Sequence, residues 1–335
     1  MSPLAWPTAS TAPPSLPTTA APPPAAPARY NWLDDDTALV PDYTLARAAD
    51  AYNDLMDLKA FTAVARRGAF PDRLLPPAAV CLGTLLVNVR EDGVVTRCAF
   101  AAPPQPSLLP SGGYVWVNLE RLDHDCPLHS NVLVFRPAGG RVRRYEPHGA
   151  DLAHAAHTAC GFGGWYSPPA LDAAIAASLE AAGLLDAPWE YVGVADCPPV
   201  LPQSLTRNDA APRNTAPLVP GVALKRRRGG VGLGDSFCGA WTLLYVAAVL
   251  GADVCGAAEC DSTTAAGEAA HHAAVMAYIG AGAAAAAASG DAAALAAAGR
   301  RGADIIASFI LRAHATYRAD LARLHDDPEW KVIMS

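Results

Sequence analysis

The fold is decided by residues 129–149, which read HSNVLVFRPAGGRVRRYEPHG. The apolar run after His129 predicts a buried strand over residues 131–135, and residues 141–145 predict a second strand. The Pro-Ala-Gly-Gly cluster between them predicts a turn, so the two strands should form a hairpin. Such a hairpin places His129 and Glu146, which are 17 residues apart, at the same end. Their side chains can then touch if both face one side of the sheet.

The β pattern continues on both sides of this hairpin. Short β-type runs bounded by Gly and Pro clusters predict further strands at 80–89, 94–100, 114–119 and 189–194. Apolar residues spaced three and four apart predict helices at 43–68, 169–185, 237–250, 263–287 and 300–324. We therefore predict an α+β fold, with a small, mostly antiparallel sheet packed against helices and a helical C-terminal region.

The domain organisation follows from shifts in composition. Residues 1–29 are rich in Pro and Ala and carry no charge before Arg29, which predicts a disordered arm. Residues 30–335 are predicted to form a single domain. Within it we expect a core at 78–275, an inserted basic loop at 204–235 that contains Lys225–Gly230, and C-terminal helices at 263–325.

Bulk composition argues against several classes of partner. The chain has 335 residues and a formal net charge of -7, whereas proteins that bind nucleic acid or anionic membranes are usually basic. Its longest apolar stretch, 237–252, is shorter than the roughly 20 residues that a membrane span needs. The first 29 residues have neither a basic start nor a continuous apolar stretch, so no secretory signal and a reducing compartment are expected.

The eight cysteines do not form a metal-binding pattern. None is part of a C-x-x-C pair. Cys255 and Cys260 lie upstream of His271 and His272, but the spacing does not match that of a structural zinc site. We predict no metal and no cofactor, and we expect His271 and His272 to face solvent.

The second decisive stretch is 234–241, which reads GDSFCGAW. Cys238 opens a predicted apolar helix, and a helix N-terminus stabilises a thiolate through its dipole and its free N–H groups. A nearby imidazole can activate such a thiol, and a carboxylate can fix the tautomer of the imidazole. Each residue alone has an ordinary explanation, since a cysteine in an apolar helix is usually a core residue. The combination of His129, Glu146 and Cys238 indicates nucleophilic catalysis.

Together these segments resemble the Ulp1/adenain-like cysteine proteases, in which histidine, an acidic residue, glutamine and cysteine follow in that order. The similarity is greatest to the branch found in large DNA viruses of amoebae. The matching segments are HSN at 129–131, RYEPHG at 144–149, CP and Q at 197–203, and FCGAW at 237–241. The resemblance covers residues 80–275 and implies the fold of the ubiquitin-like-protein proteases.

The resemblance also implies a role for each matching residue. Cys238 would attack the scissile carbonyl as a thiolate, and His129 would take the thiol proton and return it to the leaving amine. Glu146 would orient the imidazole. Gln203 would donate its side-chain amide to the oxyanion beside the backbone N–H of Cys238, which is the kind of donor that stabilises such intermediates.

Three neighbouring residues leave alternatives open. Trp241 lies one helical turn after Cys238, where a core residue is expected and a substrate contact is the alternative. His148 is an alternative base to His129. The side chain of Asn131 is expected to cap backbone groups.

Two departures from the family pattern widen the range of functions. Gln203 and Cys238 are 35 residues apart, which is further than in the family, and the acid is Glu rather than Asp. A cysteine peptidase that cuts a peptide or isopeptide bond, with Gly-Gly sites as candidates, is the first hypothesis. A catalytically silent protease-fold virion or interaction protein is the second, and a Cys-dependent acyltransferase is the third.

The resemblance also implies partners and a location. The expected partner is a protein or peptide substrate, such as a ubiquitin-like modifier or a viral polyprotein. The expected location is the host cytoplasm or the virion.

Overall fold

A computed structural model of the chain describes residues 80–90, 92–104, 106, 109, 112–121, 129–151, 167–186, 189–206, 238–251 and 264–326. The predicted arm at 1–29, the predicted helix at 43–68 and the segment 207–237, which holds most of the basic loop, lie outside the described residues. Cys255 and Cys260 also lie outside them.

Six strands form one mixed sheet. They are β1 (Val80–Val89), β2 (Val95–Phe100), β3 (Gly113–Arg121), β4 (His129–Arg136), β5 (Arg141–Tyr145) and β6 (Glu190–Val192), and their order across the sheet is β2-β1-β3-β4-β5-β6. The pairs β1–β3 and β5–β6 are parallel, and the pairs β1–β2, β3–β4 and β4–β5 are antiparallel. The predicted α+β class is confirmed, but the prediction of a mostly antiparallel sheet is wrong.

The two parallel pairs follow from the connections between strands. Strand β2 folds back on β1 at the edge of the sheet, and the chain then passes to the other side of β1, so β3 runs in the same direction as β1. Strands β5 and β6 are connected through helix α1 (Pro168–Ala181), and crossover connections of this kind join parallel strands. Apolar runs in a sequence indicate strands but not their directions.

Within the described residues, five further α-helices follow α1. They are α2 (Pro202–Thr206), α3 (Cys238–Gly251), α4 (Ala265–Gly280), α5 (Ala283–Ser289) and α6 (Ala292–Asp326). The single helix predicted at 263–287 is divided because Ala281 and Gly282 both take left-handed backbone conformations, with φ of 49° and 80°. Left-handed residues do not continue an α-helix. No described helix is by itself long and apolar enough to cross a membrane; α4 and α5 pass on length and composition only as a pair bent by 65°.

The sheet separates two hydrophobic cores, because successive side chains of a strand point to opposite faces. On one face, helix α3 packs against residues that include Tyr114, Trp116, Val132 and Val134. On the other face, helix α1 packs against residues that include Val115, Val117, Leu133 and Phe135. Nearly every residue of α3 is buried, which is typical of a helix at the centre of a core.

Two consecutive arginines of β5 anchor these layers to the sheet. Arg143 contacts Glu268 of α4 through Nε and Nη2, each 3.2 Å from a carboxylate oxygen. Arg144 points to the other face, where its Nε donates to Oδ1 of Asp172 in α1 at 2.7 Å. Both arginines are buried. A buried charge needs a partner, and the helix on each side supplies one.

Helix α6 holds α2 in place at two glycines. A Cβ at Gly299 would lie 3.3 Å from the backbone oxygen of Leu205, and a Cβ at Gly302 would collide with the ring of Pro202. Larger residues at these positions would push α6 away from α2. The close approach therefore depends on glycine.

We expect Gly302→Ala to destabilise the protein by about 1–3 kcal/mol, because the added methyl group meets a rigid proline ring. This exceeds the gain of about 1 kcal/mol that alanine brings in a helix interior. Gly280→Ala is the matched control, since its Cβ would lie 3.9 Å from Leu201 Cδ2, an ordinary contact. Urea denaturation measures both, and a Gly302→Ala variant as stable as the control would contradict this packing.

Candidate active site

The first pair of the site is His129 and Glu146. Strand β4 begins at His129, and Glu146 directly follows β5. The Nε2 atom of His129 lies 2.8 Å from Oε1 and 3.0 Å from Oε2 of Glu146. Both side chains are buried, with 5% and 0% of their surfaces exposed. The contact expected from the hairpin is therefore present.

The hairpin register brings in a third side chain, that of Asn131. Val132 lies opposite Tyr145, so one further step places Asn131 opposite Glu146. Its Nδ2 donates to Glu146 Oε2 at 2.8 Å and lies 3.1 Å from His129 Nε2. Asn131 therefore binds the carboxylate through its side chain, and the expectation that it caps backbone groups is wrong. The register of the predicted hairpin was the signal that could have found it.

The turn after Glu146 closes over the carboxylate. The backbone N–H of His148 donates to Glu146 Oε1 at 3.0 Å. The carbonyls of Pro198 and Pro199 accept the backbone N–H groups of the two residues after Gly149, at 2.9 and 2.8 Å. Gly149 has φ of 99°, and a Cβ there would lie 2.6 Å from the oxygen of Pro199. The Glu-Pro-His-Gly segment is therefore a tight turn that docks on the two prolines and requires glycine.

Docking of this turn also positions Gln203. Leu201 N donates to the backbone oxygen of His148 at 3.1 Å, and Ser204 Oγ donates to the same oxygen at 2.8 Å. Gln203 is buried in α2 between these two anchors. The predicted start of the basic loop at residue 204 is wrong, because residues 202–206 are helical. The oxyanion role of Gln203 remains a prediction.

Helix α3 brings Cys238 to the histidine. Cys238 is the first residue of α3, and its thiol is hydrogen-bonded to the His129 imidazole. Because Nε2 of His129 contacts Glu146, the nitrogen left for the thiol is Nδ1. Because Cys238 is the first residue of α3, its thiol lies at the positive end of the helix dipole, which stabilises a thiolate.

The other end of α3 is held by two side chains. The backbone oxygen of Val249 accepts from Nη1 of Arg136 and from Nε2 of His271 at 3.1 Å. A cation at a helix C-terminus is favourable. His272 is also buried, and its Nε2 lies 3.1 Å from the hydroxyl of Tyr245. The expectation that His271 and His272 face solvent is wrong, because both lie on the side of α4 that packs against the core.

The pKa of His129 reflects these contacts. Burial lowers it, but the Glu146 carboxylate and the hydrogen bond with Cys238 raise it more strongly, and the resulting pKa is about 9. Opposite charges nearby favour the charged form of a group. Near neutral pH the imidazole therefore holds a proton well, as a thiolate–imidazolium pair requires.

His148, the alternative base, has a different hydrogen-bonding pattern. Ser204 Oγ uses its one proton to donate to the His148 backbone oxygen, so it accepts from Nδ1 of the His148 ring, 3.3 Å away. The His148 ring centre lies 5.2 Å from that of His129. The Cys238 thiol is hydrogen-bonded to His129, so the geometry favours His129 as the base.

Three of these groups could also hold a metal ion. His129, Glu146 and His148 each offer a ligand atom, and the three atoms lie within 4.8 Å of one another. A cation there would displace the proton between His129 and Glu146. Because the pKa of His129 is about 9, that proton is a strong competitor near neutral pH. The absence of a metal remains a prediction.

Two other residues of the matching segments, Trp241 and Cys197, are buried in the core. Trp241 is 0% exposed within the core around α3, which agrees with the expectation of a core residue, and the alternative of a substrate contact remains a prediction. Cys197 donates its thiol to the backbone oxygen of Arg144 at 3.4 Å. Burial raises the pKa of Cys197 to about 12, so this thiol is a poor nucleophile beside Cys238.

Comparison with protein-family models finds none that matches the chain. Comparisons with curated proteins and with solved structures also find no match.

The raised pKa of His129 predicts a pH-dependent stability. Since the folded pKa of about 9 exceeds the ordinary value of 6.5, protonated His129 stabilises the fold fully below pH 6.5, and this contribution is lost as the pH rises through 9. Glu146→Gln removes the carboxylate charge. We expect the difference in unfolding free energy between wild type and variant to shrink by up to about 3 kcal/mol across this range.

NMR titration of the His129 ring gives the direct measurement. A pKa near 9 in wild type that falls in Glu146→Gln would support the electrostatic cause. A wild-type pKa at or below 6.5 would contradict it.

Proposed function

We propose that the chain is a cysteine peptidase that cuts a peptide or isopeptide bond, with Cys238 as nucleophile. The supporting observation is one connected arrangement. The Cys238 thiol, at the start of a buried helix, is hydrogen-bonded to His129. The other ring nitrogen of His129 is hydrogen-bonded to the buried carboxylate of Glu146. A nucleophile, a base and a group that orients the base define this type of catalysis.

The first half of the reaction is acylation. His129 Nδ1 takes the proton of the Cys238 thiol, and the thiolate forms a bond to the carbonyl carbon of the substrate. The carbonyl oxygen becomes an oxyanion, and the backbone N–H of Cys238 and the side-chain amide of Gln203 are the proposed donors to it. The C–N bond then breaks, the amine leaves with the proton from His129, and a thioester remains on Cys238.

The second half is hydrolysis of the thioester. A water molecule gives a proton to His129 and adds its oxygen to the thioester carbonyl. The C–S bond breaks, the carboxylic acid leaves, and the proton returns to the sulfur. Glu146 keeps its contact with Nε2 throughout, so that Nδ1 remains the nitrogen that exchanges protons with the reacting groups.

The buried position of α2 supports the role of Gln203 despite the sequence separation. Leu201 shares one hydrophobic cluster with Ala240 and Trp241 of α3. The segment that carries Gln203 and the helix that carries Cys238 therefore belong to the same core. A long intervening segment adds little entropic cost when its two ends meet in this way.

The nucleophile is tested by the reactivity of its thiol. At pH 6 an ordinary thiol is almost entirely protonated, and we expect iodoacetamide to label Cys238 at least about tenfold faster than Cys98. Burial raises the pKa values of Cys98 and Cys197, which makes these two thiols internal controls. His129→Ala should remove the advantage of Cys238. Mass spectrometry after limited labelling measures all three, and equal labelling of Cys238 and Cys98 would overturn the proposal.

The reaction class is tested with a peptide substrate. We expect release of a fluorescent amine from a peptide that ends in Gly-Gly before the dye, and no release by Cys238→Ala. A reactive Cys238 that transfers an acyl group from acyl-CoA to a lysine peptide, without hydrolysing amides, would instead favour the acyltransferase. Thiol reactivity no greater than that of Cys98 would favour the silent protease fold.

A further inference from the structure

A series of buried hydrogen bonds connects Glu146 to helix α1. Arg144 Nε donates to Asp172 Oδ1 at 2.7 Å, and Arg144 Nη1 donates to Asn131 Oδ1 at 2.7 Å. Asn131 Nδ2 then donates to Glu146 Oε2 at 2.8 Å. Arg144, Asn131 and Glu146 are each at most 1% exposed, so solvent does not compete for these bonds. The series connects α1, through two strands, to the carboxylate that contacts His129.

Arg144 determines which group donates and which accepts in each of these hydrogen bonds. A guanidinium group has only donors, so the group of Asn131 that faces it must be the amide oxygen. The amide nitrogen must then face Glu146. Asn131 alone could present either end of its amide to the carboxylate, but with Arg144 in place it presents a donor.

This donor matters because Glu146 is fully buried. Its carboxylate accepts from Asn131 Nδ2, from the backbone N–H of His148 and from His129 Nε2. Hydrogen bonds to the charged form of a group favour that form. With one donor removed, the proton between His129 and Glu146 is drawn towards the carboxylate, and the imidazole becomes neutral.

The other charged groups near His129 come from several different elements of the fold. Asp172, which pairs with Arg144, also accepts from the hydroxyl of Tyr191 at 2.6 Å and from the backbone N–H of Val194 at 3.2 Å. Among the described residues, the titratable or charged groups that face this region are Glu146 and His148 after β5, Arg144 and Tyr145 of β5, Asp172 of α1, Tyr191 of β6, Cys197 and, at the start of α3, Cys238.

We propose that Asn131 and Arg144 are positioning residues, which hold a proton on His129 Nε2 by keeping Glu146 charged and oriented. Nδ1 of His129 is then left to exchange a proton with Cys238. The consequence for catalysis depends on the peptidase function proposed above, whereas the consequence for His129 does not. Both residues act on the thiol through Glu146 and His129.

The main test is Asn131→Leu, which keeps a similar volume but removes both polar groups. We expect the midpoint of the pH profile of Cys238 alkylation to rise by about one unit, which lowers the alkylation rate about tenfold at pH values below both midpoints. Nitrogen NMR of the His129 ring should show Nε2 protonated in wild type at pH 7 and losing this proton in the variant. If Asn131→Leu does not fold, Asn131→Ser is measured in its place by the same two methods.

Arg144 is tested by a pair of variants. Arg144→Met cannot orient the Asn131 amide and should shift the midpoint in the same direction as Asn131→Leu. Arg144→Lys keeps a donor for Asn131 Oδ1, so its midpoint should lie closer to that of wild type. Equal midpoints in the two variants would contradict the orienting role of Arg144.

The matched control is Asn118→Leu. Asn118 lies on β3 opposite Ser130 and is partly buried, so it reports the general effect of this substitution in the sheet. We expect it to leave both the alkylation midpoint and the His129 ring unchanged.

The outcomes separate the two proposals. If Asn131→Leu lowers the melting temperature but leaves the alkylation midpoint and the His129 ring as in wild type, Asn131 is only structural and the inference is overturned. If wild-type Cys238 proves unreactive, the peptidase proposal fails. The NMR comparison of wild type with Asn131→Leu then still decides whether Asn131 positions the proton of His129.

Discussion

A fully buried carboxylate, that of Glu146, determines the arrangement of this end of the molecule. A charge without access to water needs hydrogen-bond donors on every side. The chain supplies them from the start of β4, from the middle of the same strand, and from the backbone of the turn after β5. One of those donors is the backbone N–H of His148, which lies in the tight turn at Gly149. The two prolines dock on the same turn, and α2 is hydrogen-bonded to it.

The local part of this architecture was predictable from the sequence. The apolar run after His129 and the Pro-Ala-Gly-Gly turn predicted β4, β5 and the approach of His129 to Glu146, since all of these are properties of one hairpin. The direction of β3 and the division of the helix at Ala281 were not predictable in this way. They depend on which distant elements pack together. Asn131 is intermediate, because the register of the predicted hairpin could have placed it opposite Glu146, whereas its contact with the buried Arg144 was not visible in the sequence.

The burial of charged side chains was the feature of the fold that was least predictable from the sequence. Arg143 and Arg144 are adjacent in a basic segment, and such segments usually face solvent. Here they leave β5 on opposite faces, and each meets an acid from a helix far away in the sequence. Nothing local distinguishes these arginines from surface residues. Their partners, Glu268 and Asp172, become visible only when the two layers are placed on the sheet.

The anchoring of α2 has a consequence for how this chain can vary. The segment 207–237 leaves from a helix that is hydrogen-bonded to the turn after Glu146, and it returns at the first residue of α3. Both of its ends are thus fixed independently of what lies between them. Doubling the length of such a segment costs only about 0.6 kcal/mol in chain entropy. Insertions and deletions can therefore accumulate there over evolution while α2 and the start of α3 keep their positions, which makes residue separation along the chain a poor guide to distance in this site.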